Sequence, residues 1–258
     1  MLTPSEAKLL HALKTRGGRE KHDAFAVEGV RVVEEALAAR IDLKFAVIST
    51  SLEDGRRGQA LVQQLVARTT VQRVSDGQLR ELAETDTPQG VIVVARPPHA
   101  TLAAVKVPPA SVVLVIDAVQ DPGNLGTLIR TAAAFAVTGV IALPGTVDYW
   151  NSKVVRSAAG ASFQLPLVNA AEAETWDWLA RNAFTVCGAD MSGVPVAQAG
   201  MAARVALVVG NEGAGLRKET RTHVQCTVAI PMPGRAESLN VAAAAAILLY
   251  ELSNRADS

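Results

Sequence analysis

The sequence predicts an α/β protein built from two parts. Apolar, strand-like runs alternate with helix-like segments along both halves of the chain, a pattern typical of α/β folds. One run, Val112–Ile116, is apolar at every position, as expected of a parallel strand covered on both faces. Four of the twelve prolines lie between residues 97 and 109, and because proline fixes the backbone and removes an amide donor, we predict an interdomain linker there. The predicted parts are a small domain at 1–98, a linker at 99–110 and a larger domain at 111–258.

The pattern of the first part predicts a small α/β domain of about 100 residues, and a domain of this length can fold alone. Leucines at 9, 10 and 13 form one face of a short helix. Strands are predicted at 24–27, 43–48 and 90–95, and helices at 31–39 and 59–67.

The second part predicts a doubly wound parallel sheet. Strands are predicted at 112–116, 140–143, 163–168, 184–187, 205–209 and 228–230, with a helix at about 125–136. A last helix at 239–252 contains five consecutive alanines, the strongest helix formers.

The composition describes a globular chain and excludes several other classes. Its 258 residues are 49% hydrophobic and 19% charged, which excludes disordered and collagen-like proteins. No stretch approaches the roughly 18 consecutive apolar residues of a membrane span, and the first ten residues contain no apolar signal core. Cys187 and Cys226 are the only cysteines, too few for a disulfide framework, and the four histidines show no metal-ligand spacing. We therefore expect a cytoplasmic protein with no metal site and no membrane contact.

The charges balance at 25 basic and 25 acidic side chains, so the formal net charge is zero. A protein that binds nucleic acid only through its overall charge would be more basic. A local patch is sufficient for phosphate contacts, and five basic residues fall close together near the N-terminus. They are Lys8, Lys14, Arg16, Arg19 and Lys21. Taken alone, such a run more often forms the solvated face of a helix.

Two segments that follow apolar runs are candidates for a ligand site, because ligands of open α/β sheets bind at the carboxyl ends of strands. Residues 121–124 (DPGN) form a turn into a helix, with Asn124 as its predicted N-cap. Arg130 in that apolar helix either extends to solvent or faces an anion. Residues 210–216 (GNEGAGL) contain three glycines that allow a ligand to approach the backbone. Glu212 there is either an ordinary exposed carboxylate or the partner of a cation such as Arg130.

The third segment, residues 230–252, runs from a strand end into the alanine helix. Ser238 and Asn240 are both N-cap types, and a helix N-terminus with two polar caps also suits negative charge. The chain contains neither GxGxxG nor GxxxxGK[ST], so we expect no dinucleotide fold and no phosphate-binding loop of the NTPase type.

Together the three segments resemble the SpoU (TrmH-type) ribose 2′-O-methyltransferases of the SPOUT class. The matching motifs are N-x-G-x-x-x-R from Asn124 to Arg130, G-N-E-G-x-G from Gly210 to Gly215, and I-P-M-x-G-x-x-x-S-L-N-V-x-x-A from Ile230 to Ala244. Residues 11–37 and 87–96 look like the small RNA-binding domain that precedes many of these enzymes, and that domain is similar to ribosomal proteins that grip RNA turns. The resemblance therefore implies an RNA substrate-binding domain at 1–98 and a SpoU methyltransferase catalytic domain at 111–258.

The resemblance further implies a catalytic half with a trefoil knot, bound S-adenosylmethionine and a homodimer with the last helix at the subunit contact. The implied cofactor contacts are Gly210, Ile230, Leu239, Leu143 and Met232. The implied catalytic set is Asn124, Arg130, Glu212, Ser238 and Asn240. For RNA binding, Arg31 joins the five N-terminal basic residues, and Asn151, Lys153 and Arg156 are expected to line the catalytic side.

The chemistry of this site concerns a ribose 2′-hydroxyl, which is a poor nucleophile and must lose its proton as it attacks a methyl group. A guanidinium with a pKa above ~12 is a poor general base, so we expect Arg130 to clamp the neighbouring phosphate and the developing alkoxide. In this scheme Glu212 fixes the direction of Arg130. Ser238 and Asn240 orient the ribose, and Asn124 holds Arg130 or the hydroxyl. No metal is needed.

The leading hypothesis is ribose 2′-O-methylation of 23S rRNA, because the first domain resembles ribosomal proteins. One alternative is methylation of tRNA. Another is a noncatalytic RNA-binding or ribosome-assembly factor, which would predict damaged motifs. A nucleotide-dependent oxidoreductase is disfavoured because its glycine fingerprint is absent.

Overall fold

The chain forms two compact units in the computed structural model, which describes residues 2–200, 202–234 and 238–254. The first unit contains residues 2–98 and Asp148–Gln164, and the second contains His99–Val147 and residues 165–254. Each unit is an α/β structure with its own sheet, so the predicted fold class is confirmed. Within the described ranges, no helix has the length and apolar character needed to cross a membrane.

The strands and helices alternate along the chain. The strands are β1 (Phe25–Glu28), β2 (Leu43–Ser49), β3 (Thr70–Val74), β4 (Val91–Ala95), β5 (Ser111–Ile116), β6 (Val140–Ala142), β7 (Leu167–Asn169), β8 (Thr185–Pro195), β9 (Arg204–Val209) and β10 (Cys226–Ala229). The helices are α1 (Pro4–Leu13), α2 (Arg16–His22), α3 (Val30–Ala38), α4 (Arg56–Val66), α5 (Asp76–Leu82), α6 (Pro122–Ala134), α7 (Ser152–Ala158), α8 (Glu172–Arg181), α9 (Lys218–Arg221) and α10 (Val241–Ser253).

The first unit is a four-stranded mixed sheet in the order β1-β4-β2-β3. β4 is antiparallel to both of its neighbours, and β2 and β3 are parallel. Successive side chains of a strand point to opposite faces, so β2 contributes to two cores. Ala46 and Ile48 pack with α3 and α4, whereas Phe45 and Val47 pack with α1 and α5.

The second unit is a six-stranded parallel sheet in the order β10-β8-β9-β5-β6-β7. Because the strands are parallel, their carboxyl ends meet at one edge, where both of the first two candidate loops begin. Cys187 and Cys226 face each other on β8 and β10 and form a disulfide. The knot expected from the resemblance stays a prediction.

The segment Asp148–Gln164 packs on the first unit, although the sequence analysis placed it with residues 111–258. Arg19 binds Asp148 at 2.6 Å, and the Ser152 hydroxyl donates to Glu84 at 2.5 Å. The ring of Trp150 lies 4.6 Å from that of Phe25, centroid to centroid. Hydrogen bonds, an ion pair and an aromatic contact therefore hold this segment within the first unit.

Two predicted local structures are wrong, the strand at 163–168 and the N-cap of α6. The strand predicted at 163–168 is a 3₁₀ turn at Ala161–Phe163 followed by the short strand β7, because only Leu167 and Val168 enter the core. The linker predicted at 99–110 begins where the chain passes from the first unit to the second, and its Val105 is buried in the core of the second unit. Asp121, and not Asn124, caps α6 by accepting the Asn124 backbone N–H at 2.8 Å.

Candidate functional site

A cleft of about 420 Å³ opens in the second unit at the carboxyl ends of β9 and β10 and beside the middle of β8. The glycine loop, residues 210–216, forms one wall, and the N-terminal half of α10 forms another. The lining combines apolar side chains with a few polar groups, as small-molecule sites commonly do. The apolar members include Met191, Ile230, Met232, Leu239 and Leu248.

Asn211 holds the shape of the glycine loop. Its backbone exchanges two hydrogen bonds with Gly215, at 3.0 and 2.9 Å. Its side-chain oxygen accepts the backbone N–H groups of Gly213 and Ala214, and its amide nitrogen donates to the Ala118 carbonyl. Asn211 was not among the residues predicted from the sequence, although asparagine after a strand is a residue type that commonly closes such turns.

Gly210 is required by the backbone of its own loop. A Cβ at this position would lie 2.3 Å from the carbonyl carbon of Gly215 and 2.5 Å from the nitrogen of Leu216. The expectation was that glycine leaves room for the ligand. The structure shows that the missing side chain of Gly210 leaves room for the backbone of Gly215 and Leu216, at the other end of the loop.

Three of the predicted catalytic residues form one hydrogen-bonded chain. The Asn124 amide nitrogen donates to Glu212 Oε1 at 3.0 Å, and the Asn240 amide nitrogen donates to the Asn124 side-chain oxygen at 2.9 Å. The Asn240 side-chain oxygen in turn caps α10 by accepting the backbone N–H of Ala242 at 2.9 Å. Segments more than 80 residues apart in sequence therefore meet at the mouth of the cleft.

Glu212 is held as a carboxylate by this arrangement. Burial alone would raise the pKa of Glu212, but its hydrogen bonds with the Asn124 side chain and with backbone N–H groups outweigh that cost and lower the pKa below its ordinary value. Two of those backbone groups belong to Gln120 and Asp121, at the entrance to α6. Glu212 is thus ionised at neutral pH and fastens the glycine loop to the start of α6.

Arg130 and Ser238 lie apart from this chain. Arg130 is exposed on α6 and forms no ion pair with any described residue, so the expected pairing of Glu212 with Arg130 is not present. Glu212 does not pair with Arg130 because its carboxylate is already bound by the Asn124 side chain and by two backbone amides. Ser238 is exposed and lines the cleft.

Four of the five predicted cofactor residues line the cleft: Gly210, Ile230, Met232 and Leu239. Leu143 does not. Its side chain is buried in the core between the sheet and α8, together with Val115 and Ile141. Leu143 is therefore not among the residues that line the cleft, and its contact with the cofactor stays a prediction.

The structure adds charged groups that the sequence analysis missed. Asp117, 0% exposed at the end of β5, accepts the backbone N–H of Arg217 at 2.8 Å and also binds its guanidinium. Arg217 further pairs with Glu172 at 2.9 Å. Because Arg217 directly follows the glycine loop, this cluster anchors the loop at its far end.

Another ion pair, Asp190 with Arg221 at 2.8 Å, lies in the wall of the cleft. Hydrogen bonds from Ser192 and then from Arg221 lower the pKa of Asp190 below its ordinary value. Among the residues that the structure describes, no group of three or more His, Cys, Asp or Glu side chains could hold a metal ion.

All eight predicted RNA contacts belong to the first unit, but they are not equivalent. Arg19 is 7% exposed, binds Asp148 and donates to the Leu13 carbonyl at 2.8 Å, so it supports the fold and is not available to RNA. Arg156 is half-buried beside Glu28, with a nitrogen–oxygen distance of 3.9 Å. Lys14 is half-buried as well. The remaining five are exposed: Lys8, Arg16, Lys21, Arg31 and Lys153.

Comparison with known proteins places this architecture in a family. Residues 111–250 match the model of the SpoU rRNA Methylase family, and residues 5–93 match the MRM3-like substrate binding domain. The chain is 37% identical over 241 residues to the 23S rRNA (guanosine(2553)-2′-O)-methyltransferase RlmP of Bacillus subtilis, an alignment that covers 93% of this chain and 92% of RlmP. It is 32% identical to the 23S rRNA (uridine(2479)-2′-O)-methyltransferase of Streptomyces viridochromogenes, covering 93% of this chain and 85% of that protein.

Solved structures show the same relationship. The SpoU methyltransferase AviRb from Streptomyces viridochromogenes, in complex with the cofactor AdoMet, superposes with a TM-score of 0.91 at 30% identity, over 100% of this chain and 99% of that one. The AdoMet-bound rRNA methyltransferase from Sinorhizobium meliloti superposes with a TM-score of 0.88 at 29% identity, over 99% and 96% of the two chains. The chain therefore belongs to the SpoU rRNA methylase family.

Proposed function

We propose that this methyltransferase transfers a methyl group from S-adenosylmethionine to the ribose 2′-hydroxyl of a nucleotide in 23S rRNA. The observation that carries the proposal is the chain from Glu212 through Asn124 to Asn240 at the mouth of the glycine-loop cleft. It unites the three motifs that resemble the family, and the polar positions of those motifs are intact. RlmP and the Streptomyces viridochromogenes relative, both matched over most of their length, carry names that specify 2′-O-methylation of 23S rRNA.

The cleft fits S-adenosylmethionine by its size and by its chemistry. Its volume of about 420 Å³ is in the range of sites for small organic ligands, about 300–1,000 Å³. Ile230, Met232 and Leu239 offer apolar surface for an adenine ring, and the ionised Glu212 suits a positively charged ligand. When bound, the cofactor supplies an electrophilic methyl group on a sulfonium.

The residues of the chain have separate tasks in this scheme. Arg130 is exposed and unpaired among the described side chains, so its guanidinium is available to the phosphate beside the reacting ribose and to the developing alkoxide. Glu212 does not direct Arg130 but fixes Asn124, which in turn fixes Asn240. Asn240 and Ser238 orient the ribose. Holding the hydroxyl in line for attack supplies much of the rate.

The first unit binds the RNA substrate in this scheme. We assign this role to the exposed basic side chains Lys8, Arg16, Lys21, Arg31 and Lys153, and we place the reaction in the cytoplasm, where ribosomal RNA is modified. Folded RNA is read by shape and by its exposed loops, which suits a neutral protein with local basic patches.

The active form is proposed to be a homodimer that uses the last helix. Ile247 and Tyr250 on α10 are 41% and 52% exposed, while Leu248 and Leu249 on the opposite side are buried. Exposed apolar residues on one helix face are typical of a protein contact. Ile247→Glu is expected to shift the mass measured by light scattering from dimer to monomer. A wild-type monomer at micromolar concentration would refute the dimer.

The test of the function is methyl transfer from labelled S-adenosylmethionine to 23S rRNA, 16S rRNA and tRNA, followed by mapping of ribose methylation. Label in one 23S nucleotide that resists alkaline cleavage on its 3′ side is the expected result. Label in tRNA alone would refute the rRNA substrate. Cofactor binding without transfer to naked RNA or to ribosomal particles would refute catalysis and favour a noncatalytic RNA-binding factor.

A further inference from the structure

We propose that a second cleft, in the first unit, binds an unpaired base of the RNA substrate. This cleft of about 410 Å³ lies where β2 ends and β4 begins. The inference rests on the proposed RNA substrate and specifies which part of the first unit reads it. The polar lining is formed by Ser49, Ser51, Asp76, Arg80 and Gln89.

The hydroxyl groups of this cleft are arranged around one carboxylate. Ser49 is 2% exposed, and its oxygen lies 3.0 Å from that of Ser51, which donates to Asp76 Oδ1 at 2.7 Å. These hydrogen bonds from Ser51 and Ser49 lower the pKa of Asp76 below its ordinary value. The cleft thus contains an ionised, exposed hydrogen-bond acceptor in a fixed position.

Hydrogen-bond donors stand beside this acceptor. Gln89 uses its side-chain oxygen to accept the Val30 backbone N–H at 3.0 Å, which leaves its amide NH₂ group as a donor without a partner among the described residues. Arg80 lies one helical turn after Asp76 on α5 and forms no ion pair within the described ranges. An acceptor and two donors therefore converge on one cavity.

This combination suits a base better than a phosphate. The Asp76 carboxylate repels an anion, whereas it can accept the N–H groups on the edge of a base. The donors of Gln89 and Arg80 match carbonyl oxygens on the same edge. Apolar side chains, among them Leu52 and Leu79, provide surface for the face of the ring. Sequence-specific proteins read RNA mainly through such unpaired, accessible bases.

Gly90 keeps the cleft in this shape. Its φ of +83° is in the left-handed region, and a Cβ there would lie 2.9 Å from the Ser49 oxygen. The segment before β4 can therefore approach the serine hydroxyls only because residue 90 is glycine.

The test compares Asp76→Asn and Arg80→Ala with a matched pair at the other end of the same sheet. Asp42 and Arg96 are exposed, pair at 3.6 Å and lie at the start of β2 and the end of β4. Binding of a 23S rRNA transcript is measured by filter retention, and KM for that transcript by methyl transfer. We expect each cleft variant to weaken RNA binding and raise KM about tenfold, with unchanged kcat and cofactor affinity. Asp42→Asn and Arg96→Ala are expected to behave as wild type, and melting curves monitor folding of all four.

Transcripts substituted with 4-thiouridine or 6-thioguanosine then locate the base, with a crosslink expected in the peptides that contain residues 76–90. Cleft variants that methylate and bind like wild type would overturn the cleft and leave the proposed function intact. A different outcome is that the wild type binds RNA without methylating it and that Asp76→Asn weakens this binding. That result would support the cleft and refute the proposed function. Absence of RNA binding by the wild type would overturn both.

Discussion

Replacing Asn124 with aspartate tests whether the hydrogen-bonded chain at the cleft is required for activity. In the wild type the Asn124 amide nitrogen lies 3.0 Å from Glu212 Oε1. The substitution would replace this donor by a carboxylate oxygen, and two unit charges 3.0 Å apart repel by about 1.4 kcal/mol in a water-like medium and about 5.5 kcal/mol at an effective dielectric constant of 20. Because Glu212 is exposed, the lower value is the better guide, and it corresponds to a factor of about ten.

We therefore expect Asn124→Asp to lose at least about tenfold in kcat/KM at neutral pH. The loss should diminish as the pH falls, because a proton on either carboxyl restores a donor between the two oxygens. Asn124→Ala should lose activity without this recovery, since it offers no group to protonate. The assay is methyl transfer across the pH range, with cofactor affinity measured by calorimetry.

Asn169→Asp, at the exposed end of β7, controls for an added negative charge on the same unit. If Asn124→Asp retained kcat/KM within about twofold of wild type at neutral pH, the chain would be dispensable and our assignment of Asn124 would be wrong.

Three further predictions follow from individual contacts. Arg130→Ala should abolish turnover while cofactor affinity barely changes, because Arg130 does not line the cleft; near-normal turnover would contradict the clamp. Gly210→Val should weaken cofactor binding in calorimetry, because its Cβ would lie 2.3 Å from Gly215, whereas Gly213→Ala should be tolerated, with its nearest atom 3.8 Å away. Arg217→Met leaves the fully buried Asp117 without its cation and should lower the free energy of unfolding in denaturant by about 3–5 kcal/mol, and a loss under about 1 kcal/mol would show that the pair is not structural.

The fold could be predicted where burial is continuous along a strand. β5 and β9 are almost entirely buried and read as apolar runs. β3 (TVQRV) was not predicted because it is an edge strand with a single buried residue, Val74. The amphipathic helix α8 was also missed, because its two buried tryptophans are separated by a charged residue and give no apolar run.

The residues of the candidate site could be predicted from the sequence, but the hydrogen bonds between them could not. Motif resemblance selected Asn124, Glu212 and Asn240, and the structure brings these three together. The bond between the two asparagines depends on α6 packing beside α10, which no spacing in the sequence reveals. The predicted pairing of Glu212 with Arg130 was wrong for the same reason. Glu212 instead binds the Asn124 side chain and two backbone N–H groups, which become its neighbours only in the folded chain. Leu143 shows the converse limit, because an apolar residue after a strand fits a pocket and a core equally well.

The seating of Asp148–Gln164 on the first unit has a consequence for modular exchange of the RNA-recognition domain. A fragment that ends at Pro98 would leave Arg19 without Asp148, Glu84 without Ser152, and Phe25 without its aromatic neighbour. A chimaera that takes residues 1–98 from a relative and keeps Asp148–Gln164 of this chain therefore builds one core from two different proteins. The first unit of this chain can therefore be transplanted with its core intact only as two pieces, and substitutions at the contacts between them are expected to co-vary.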